Sequence, residues 1–201
     1  MAQSKKQIQA QAQAIISAAD AGLFATTVAL TETFLKENPD SVRAWLDLGH
    51  AQTCLCRYDD AIAAYQKAIE LAEASGQNPD GIHSELGQLH RQRGDFDSAA
   101  ACFQSQINAS PDDAAGYLMK ATLQLQSGQP DQAIETLNRA LDCGTGIKEE
   151  VHFSLGVTLR SKGELVQARD QFQQALTIAP DYAPAKTALK DAKSAISAKQ
   201  A

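Results

Sequence analysis

No apolar run in the 201 residues approaches the roughly 20 that a membrane-spanning helix needs, so membrane insertion is not expected. Aromatic residues are scarce at 5%, and alanine is abundant. That balance favours close-packed helices over a sheet sandwich. Basic charge is also short: the formal net charge is −6, with no block of like charges and none of the basic stripe that nucleic-acid binders usually carry. Four scattered cysteines do not make a disulfide framework, so a reduced, cytoplasmic setting is expected. The opening MAQSKKQIQAQAQAIISAAD lacks a continuous apolar core and makes a poor signal peptide. No serine, histidine and acid fall in a recognisable nucleophile arrangement. Gly144-Thr145-Gly146 lacks the spacing and the lysine of a phosphate loop.

What the chain does have is 44% hydrophobic residues, enough for a folded core, and an internal repeat. Gly94-Asp95-Phe96-Asp97-Ser98-Ala99 resembles Gly128-Gln129-Pro130-Asp131-Gln132-Ala133 and again Gly163-Glu164-Leu165-Val166-Gln167-Ala168. These copies start 34 and then 35 residues apart. Arg57-Tyr58-Asp59-Asp60-Ala61 occupies the same place further up, with Cys56 where the others have glycine, and Ala21-Gly22-Leu23-Phe24 is a worn copy. An amphipathic stretch flanks each motif on both sides.

With these residues the chain resembles the tetratricopeptide repeat (TPR) family, whose 34-residue unit is a helix-turn-helix. The segment over residues 42–75 carries Trp45, Leu48, Gly49, Tyr58, Ala61, Tyr65 and Ala68. Residues 80–113 supply Leu86, Gly87, Gly94, Phe96, Ala99, Phe103 and Pro111; 114–147 supply Tyr117, Ala121, Gly128, Ala133, Leu137 and Ala140; 149–182 supply Leu155, Gly156, Gly163, Leu165, Ala168, Phe172, Ala175 and Pro180. Residues 8–41 match least, with Gly22, Phe24 and Pro39 but Thr27 in place of alanine. The resemblance implies one right-handed all-α solenoid domain over residues 1–201, closed by a capping helix over about 183–199. In that helix Ala185, Ala188, Leu189, Ala192, Ala195 and Ile196 form an apolar stripe that Lys186, Lys190, Lys193 and Lys199 mostly avoid.

The pattern makes physical sense without the family. Gly49 and Ala61 let two helices approach closely, while Trp45, Tyr65 and Phe172 fill the space between hairpins. Pro39, Pro111 and Pro180 are expected to end the second helices, and the aspartates after them to cap the next. Through Ala74-Ser75-Gly76-Gln77-Asn78-Pro79 the repeat spacing stretches, which predicts an extra turn before Gly76. Cys143-Gly144-Thr145-Gly146 replaces a proline ending, which adjusts local pitch or is neutral loop variation.

In TPR proteins the first helix of each repeat lines a concave surface where ligands lie. By position, the resemblance implies a groove formed by Arg43, Leu46, His50, Thr53 and Cys54, then Ser84, Gln88, Arg91 and Gln92. It continues with Leu118, Thr122 and Leu125, then Glu150, Phe153, Val157 and Arg160, with Ile16 and Ala19 extending the line. The apolar members could receive an apolar stripe of a peptide, and Arg91 and Arg160 could take carboxylates. Alternatively, those apolar residues pack against second helices or the C-terminal helix. The carboxylate clamp for chaperone tails is absent: its positions hold Leu46, His50 and Glu85 in one frame, and Ser84, Gln88 and Met119 in another.

The remaining chemical candidates are weak. Asp59-Asp60 and Asp112-Asp113 lie at repeat turns, where aspartate is a favoured cap. His83 and His152 share the repeat position of Trp45 and Tyr117, and His90 falls where a tyrosine often packs; all three are expected to pack. Lys120 stands at an interhelix seam and either snorkels or pairs with a carboxylate. His50 and Cys54, four apart, share a helix face, but the next repeat offers only Gln88 and Gln92, poor ligands for a soft metal. No metal site and no cofactor are expected. The chain therefore reads as a non-catalytic protein- or peptide-binding scaffold or adaptor. The alternative is a self-associating scaffold, a homo-oligomer acting through its N-terminal helix or convex face. Aspartate at Leu118 and Phe153, or glutamate at Arg91 and Arg160, is expected to weaken partner capture without unfolding the array.

Overall fold

The computed structural model describes residues 5–200 and is all-α, a solenoid of paired helices. Eleven helices occur among the described residues: α1 (Lys5–Asp20), α2 (Phe24–Glu37), α3 (Val42–Cys54), α4 (Tyr58–Ala74), α5 (Asp80–Gln92), α6 (Phe96–Ala109), α7 (Ala114–Gln126), α8 (Pro130–Asp142), α9 (Lys148–Ser161), α10 (Leu165–Ile178) and α11 (Ala183–Gln200). The chain divides into two compact units, residues 1–95 and 96–201, so the division falls in the turn of the third repeat.

In the first unit each helix packs on its successor from α1 to α5. The core gathers Ile15, Val28, Phe34, Leu35, Ala44, Leu48, Ala51 and Ala64. Gly49 is small for a steric reason: a Cβ there would lie 2.8 Å from the ring of Tyr65, which is fully buried. In the second unit the chain of neighbours runs from α6 to α11. One core centres on Ile107, Tyr117, Leu118, Leu137, Val151 and Leu155. Another joins Leu159 and Phe172 to Ala188, Leu189 and Ala192 of α11. The expected stripe of α11 thus buries Ala185, Ala188, Leu189 and Ala192, while Ala195 and Ile196 are only half-buried.

The turns follow the repeat. Gly22, Gly94, Gly128 and Gly163 take left-handed φ values of 69°, 77°, 73° and 82°, and Cys56 is forced into the same region at 57°. The stretched spacing after the second repeat is an extra turn, as expected: α4 runs 17 residues before Gly76. Capping follows the expectation only in part. Asp113 caps α7, accepting from Ala115 N at 3.1 Å, but α3 is capped by Ser41, accepting from Ala44 N at 3.3 Å, rather than by Asp40. Ser41 directly precedes the first helical residue, the position from which a short side chain reaches the free N–H groups.

Trp45 and Tyr117 share more than a repeat position. Each donates to the carbonyl of the proline six residues earlier, Trp45 Nε1–H to Pro39 at 2.8 Å and Tyr117 O–H to Pro111 at 3.3 Å. Of the histidines at that position, His152 Nδ1 lies 2.8 Å from Gln171 Oε1. His83 is half-buried, and burial holds its pKa below the ordinary histidine value. His90 pairs with Asp95 at 3.2 Å. Lys120 is half-buried and forms no salt bridge among the described residues; its Nζ donates to Gln104 Oε1 at 2.8 Å. The Cys143–Gly146 insertion is a tether. Asp112 accepts from Gly144 N at 2.7 Å through its side chain, and its carbonyl accepts from Thr145 N and Oγ1 at 3.1 and 2.8 Å. Thr145 O in turn accepts from Ala114 N at 3.1 Å.

Candidate functional site

First helices of neighbouring hairpins meet directly at α1 and α3 in the first unit and at α7 and α9 in the second, where α9 also touches the capping helix α11. Each unit holds a cavity on this side. In the first unit a cavity of about 440 Å³ is lined by Ala19 and Asp20 of α1, Arg43, Leu46, Asp47 and His50 of α3, and Gly81 and Glu85 of α5. The four α3 residues are spaced i, i+3, i+4 and i+7, which places them on one helix face. Arg43 Nε donates to Asp47 Oδ1 at 2.8 Å. Asp20 and Glu85 are exposed. Neither carboxylate forms a salt bridge among the described residues. His50 stands edge-on to Phe24, with ring centroids 6.5 Å apart, and its Nε2 lies 3.8 Å from Cys54 Sγ.

The second unit's cavity is smaller, about 200 Å³, and its walls are apolar: Ala121, Thr122 and Leu125 of α7, Leu137 of α8, and Phe153, Ser154, Val157 and Thr158 of α9. Thr122 and Thr158 direct their hydroxyl protons into their own helices, to the carbonyls of Leu118 and Ser154 at 2.9 and 2.8 Å. That use of the hydroxyls keeps the pocket wall weakly polar. Phe153 is held by Phe172 and Tyr182, with ring centroids at 5.8 and 5.5 Å. Burial, and then the negative charges of Glu150 and Glu149, push the Tyr182 phenol above its usual pKa.

Of the groove residues expected from sequence, Ala19, Arg43, Leu46 and His50 come together in the first cavity, and Thr122, Leu125, Phe153 and Val157 in the second. Ser84, Gln88 and Arg91 are half-buried on α5, and Arg160 is exposed at the last turn of α9, none of them lining either cavity. Leu118 is a correction: at 7% exposure it belongs to the core. An aspartate there would bury an unpaired charge and unfold the unit rather than only weaken capture. Thr53 is drawn inward too, with its Oγ1 bonded to Gly49 O at 2.9 Å and lying 3.4 Å from Tyr65 Oη. The expectation missed Asp20, Asp47 and Glu85. Asp47, one residue beyond Leu46, was within reach of the helical spacing from Arg43; Asp20 and Glu85 reach the cavity only through the packing of α1 and α5.

Among the described residues no group of three or more histidine, cysteine, aspartate or glutamate side chains could hold a metal ion. Cys54 and Cys56 are exposed and free.

Models of the tetratricopeptide repeat match residues 40–110, 90–146 and 149–182. A stretch of 103 residues is 28% identical to the protein CTR9 homolog of Arabidopsis thaliana, covering 51% of this chain but only 9% of that protein. Among solved structures, the chain superposes on MamA residues 41-end from Desulfovibrio magneticus RS-1 with a TM-score of 0.71 at 15% identity, over 88% of this chain and 97% of the other. It also superposes on YrrB, described as a TPR protein with an unusual peptide-binding site, with a TM-score of 0.64 at 17% identity over 88% of each chain. At those identities the likeness is one of fold.

Proposed function

Because the chain belongs to the tetratricopeptide repeat family, we propose that it is a non-catalytic scaffold that captures a peptide segment of another protein on its first-helix surface. The observation that carries this reading is the second unit's apolar cavity, where Leu125, Phe153 and Val157 surround a space of about 200 Å³ that suits one apolar anchor side chain. The peptide-binding site that names YrrB is in keeping with it. The exposed thiols of Cys54 and Cys56 suit a reducing compartment such as the cytoplasm.

The test is a displayed random-peptide library panned on the wild-type chain and on a Thr122→Glu/Val157→Glu variant. Both positions are half-buried at the cavity wall, so far-UV circular dichroism is expected to stay unchanged. The expected result is enrichment of peptides sharing an aliphatic or aromatic residue, with binding lost at least tenfold, or about 1.4 kcal/mol, in the variant. Peptides that bind both proteins equally would reject the cavity as the site. A second reading, self-association through the N-terminal helix, draws on the exposure of Ile16, Leu23 and Leu30 in the first hairpin; on this reading Ile16→Glu lowers the light-scattering mass, at high salt as well as low.

A further inference from the structure

The C-terminal helix is basic in an acidic protein. Over Ala183–Gln200 it carries Lys186, Lys190, Lys193 and Lys199 against a single Asp191, while the chain as a whole has a formal net charge of −6. Its apolar stripe is covered by the core, and the lysines stand exposed on the other side. Lys186 is engaged by Asp181 at 2.9 Å. Lys190 and Lys193 form no salt bridge among the described residues. Three positions apart on a helix, they share one face, so α11 presents two long, unneutralised cations side by side.

The first unit's cavity presents the opposite charge. Asp20 and Glu85 stand on its two outer helices without salt-bridge partners among the described residues, and Arg43 in its wall is engaged by Asp47 at 2.8 Å. Ala19, Leu46 and Gly81 supply apolar wall, against which the methylene stem of a lysine can lie while its head reaches a carboxylate. The volume of about 440 Å³ falls in the range of sites that enclose small ligands.

We infer that α11 of one copy docks on the first-unit cavity of a second copy, with Lys190 and Lys193 meeting Asp20 and Glu85. Charge complementarity selects this occupant: the chain carries both halves of the contact. The two surfaces differ, so the contact is heterologous, and a copy that donates its helix still has its own cavity to fill. Association therefore passes from copy to copy, and added salt weakens it because the pairing charges are at the surface. The inference does not rest on peptide capture, which was placed in the second unit's cavity.

Sedimentation velocity of the full chain over a concentration series, at low and at high salt, tests it. At low salt the weight-average mass is expected to rise with concentration to about twofold that of the monomer or beyond, and to fall back at high salt. Lys190→Glu/Lys193→Glu and Asp20→Lys/Glu85→Lys, both confined to exposed positions, should each remain monomeric with unchanged far-UV circular dichroism. An equimolar mixture of the two should associate again, because each reversed surface then meets a reversed partner. The inference is overturned by a wild-type chain that stays monomeric at low salt, by a reversed variant that associates like wild type, or by a mixture of folded variants that stays monomeric. None of these outcomes would alter the peptide enrichment described above.

Discussion

Cys56 and Gly49 show how one repeat can be wrong and right about residue size a few positions apart. Cys56 adopts φ 57°, a conformation that costs an L-residue about 1–2 kcal/mol. Cys56→Gly is expected to raise stability by about 1 kcal/mol, seen as a higher urea midpoint at unchanged slope. Gly49→Ala should do the reverse, since its methyl would meet the Tyr65 ring at 2.8 Å; overpacking of this kind costs about 1–3 kcal/mol. Tyr65 adds a pH dependence. Burial, the largest cause, pushes its phenol from 10.0 up to about 12. Between those values the unfolded chain loses the proton first, so the unfolded state binds fewer protons and stability falls as pH rises. The stabilisation is complete below about pH 10 and is lost toward 12. Melting temperatures from pH 8 upward should drop more steeply in wild type than in Tyr65→Phe. Sequence was enough to see Cys56 as a turn residue standing in for glycine, because the other copies supplied the comparison. It was not enough to see that Leu118 turns inward, because a repeat position fixes the helix face only to within a side chain's width.

At the scale of elements, helices and turns were legible because their signals are local: period, glycine turn, proline stop. The extra turn of α4 before Gly76 came from spacing alone. Caps were less legible, since Asp40 and Ser41 are both good capping residues and only the chain path after Pro39 chooses Ser41. The tether from Asp112 to Gly144 and Thr145 was not legible at all. It joins loops 32 and 33 residues apart that no local pattern relates. Asp112→Ala removes the side-chain acceptor for Gly144 N, a hydrogen bond to a charged group at an exposed site. It is expected to cost about 1 kcal/mol in chemical denaturation, while Asp113→Ala, which removes the α7 cap, should cost a similar amount for a different reason. Because the two residues are adjacent and both border the contact with Thr145, the double variant is expected to depart from the sum, and a double-mutant cycle measures their coupling.

For the whole molecule, the repeat made the architecture readable before any side chain was placed, because each hairpin completes its core only with a neighbour. The chemistry of the two cavities was less readable. The position rule carried Arg43, His50, Phe153 and Val157 to cavity walls, yet the carboxylates that set the sign of the first cavity arrive from α1 and α5 through packing geometry. The tether also gives the chain a mechanical character. Pulled from its ends, a stack of hairpins held by nearest-neighbour contacts peels progressively at low force. The bonds between Asp112 and Gly144 and Thr145 instead close the fourth repeat into a loop that must be sheared open before it can lengthen. In an optical trap this repeat should yield as a discrete step of on the order of 110 Å, the extended length of the sequestered residues, and Asp112→Ala, which removes the side-chain bond to Gly144 but keeps those to the Asp112 carbonyl, should lower the force of that step. The fourth repeat would then act as a latch in an otherwise spring-like protein.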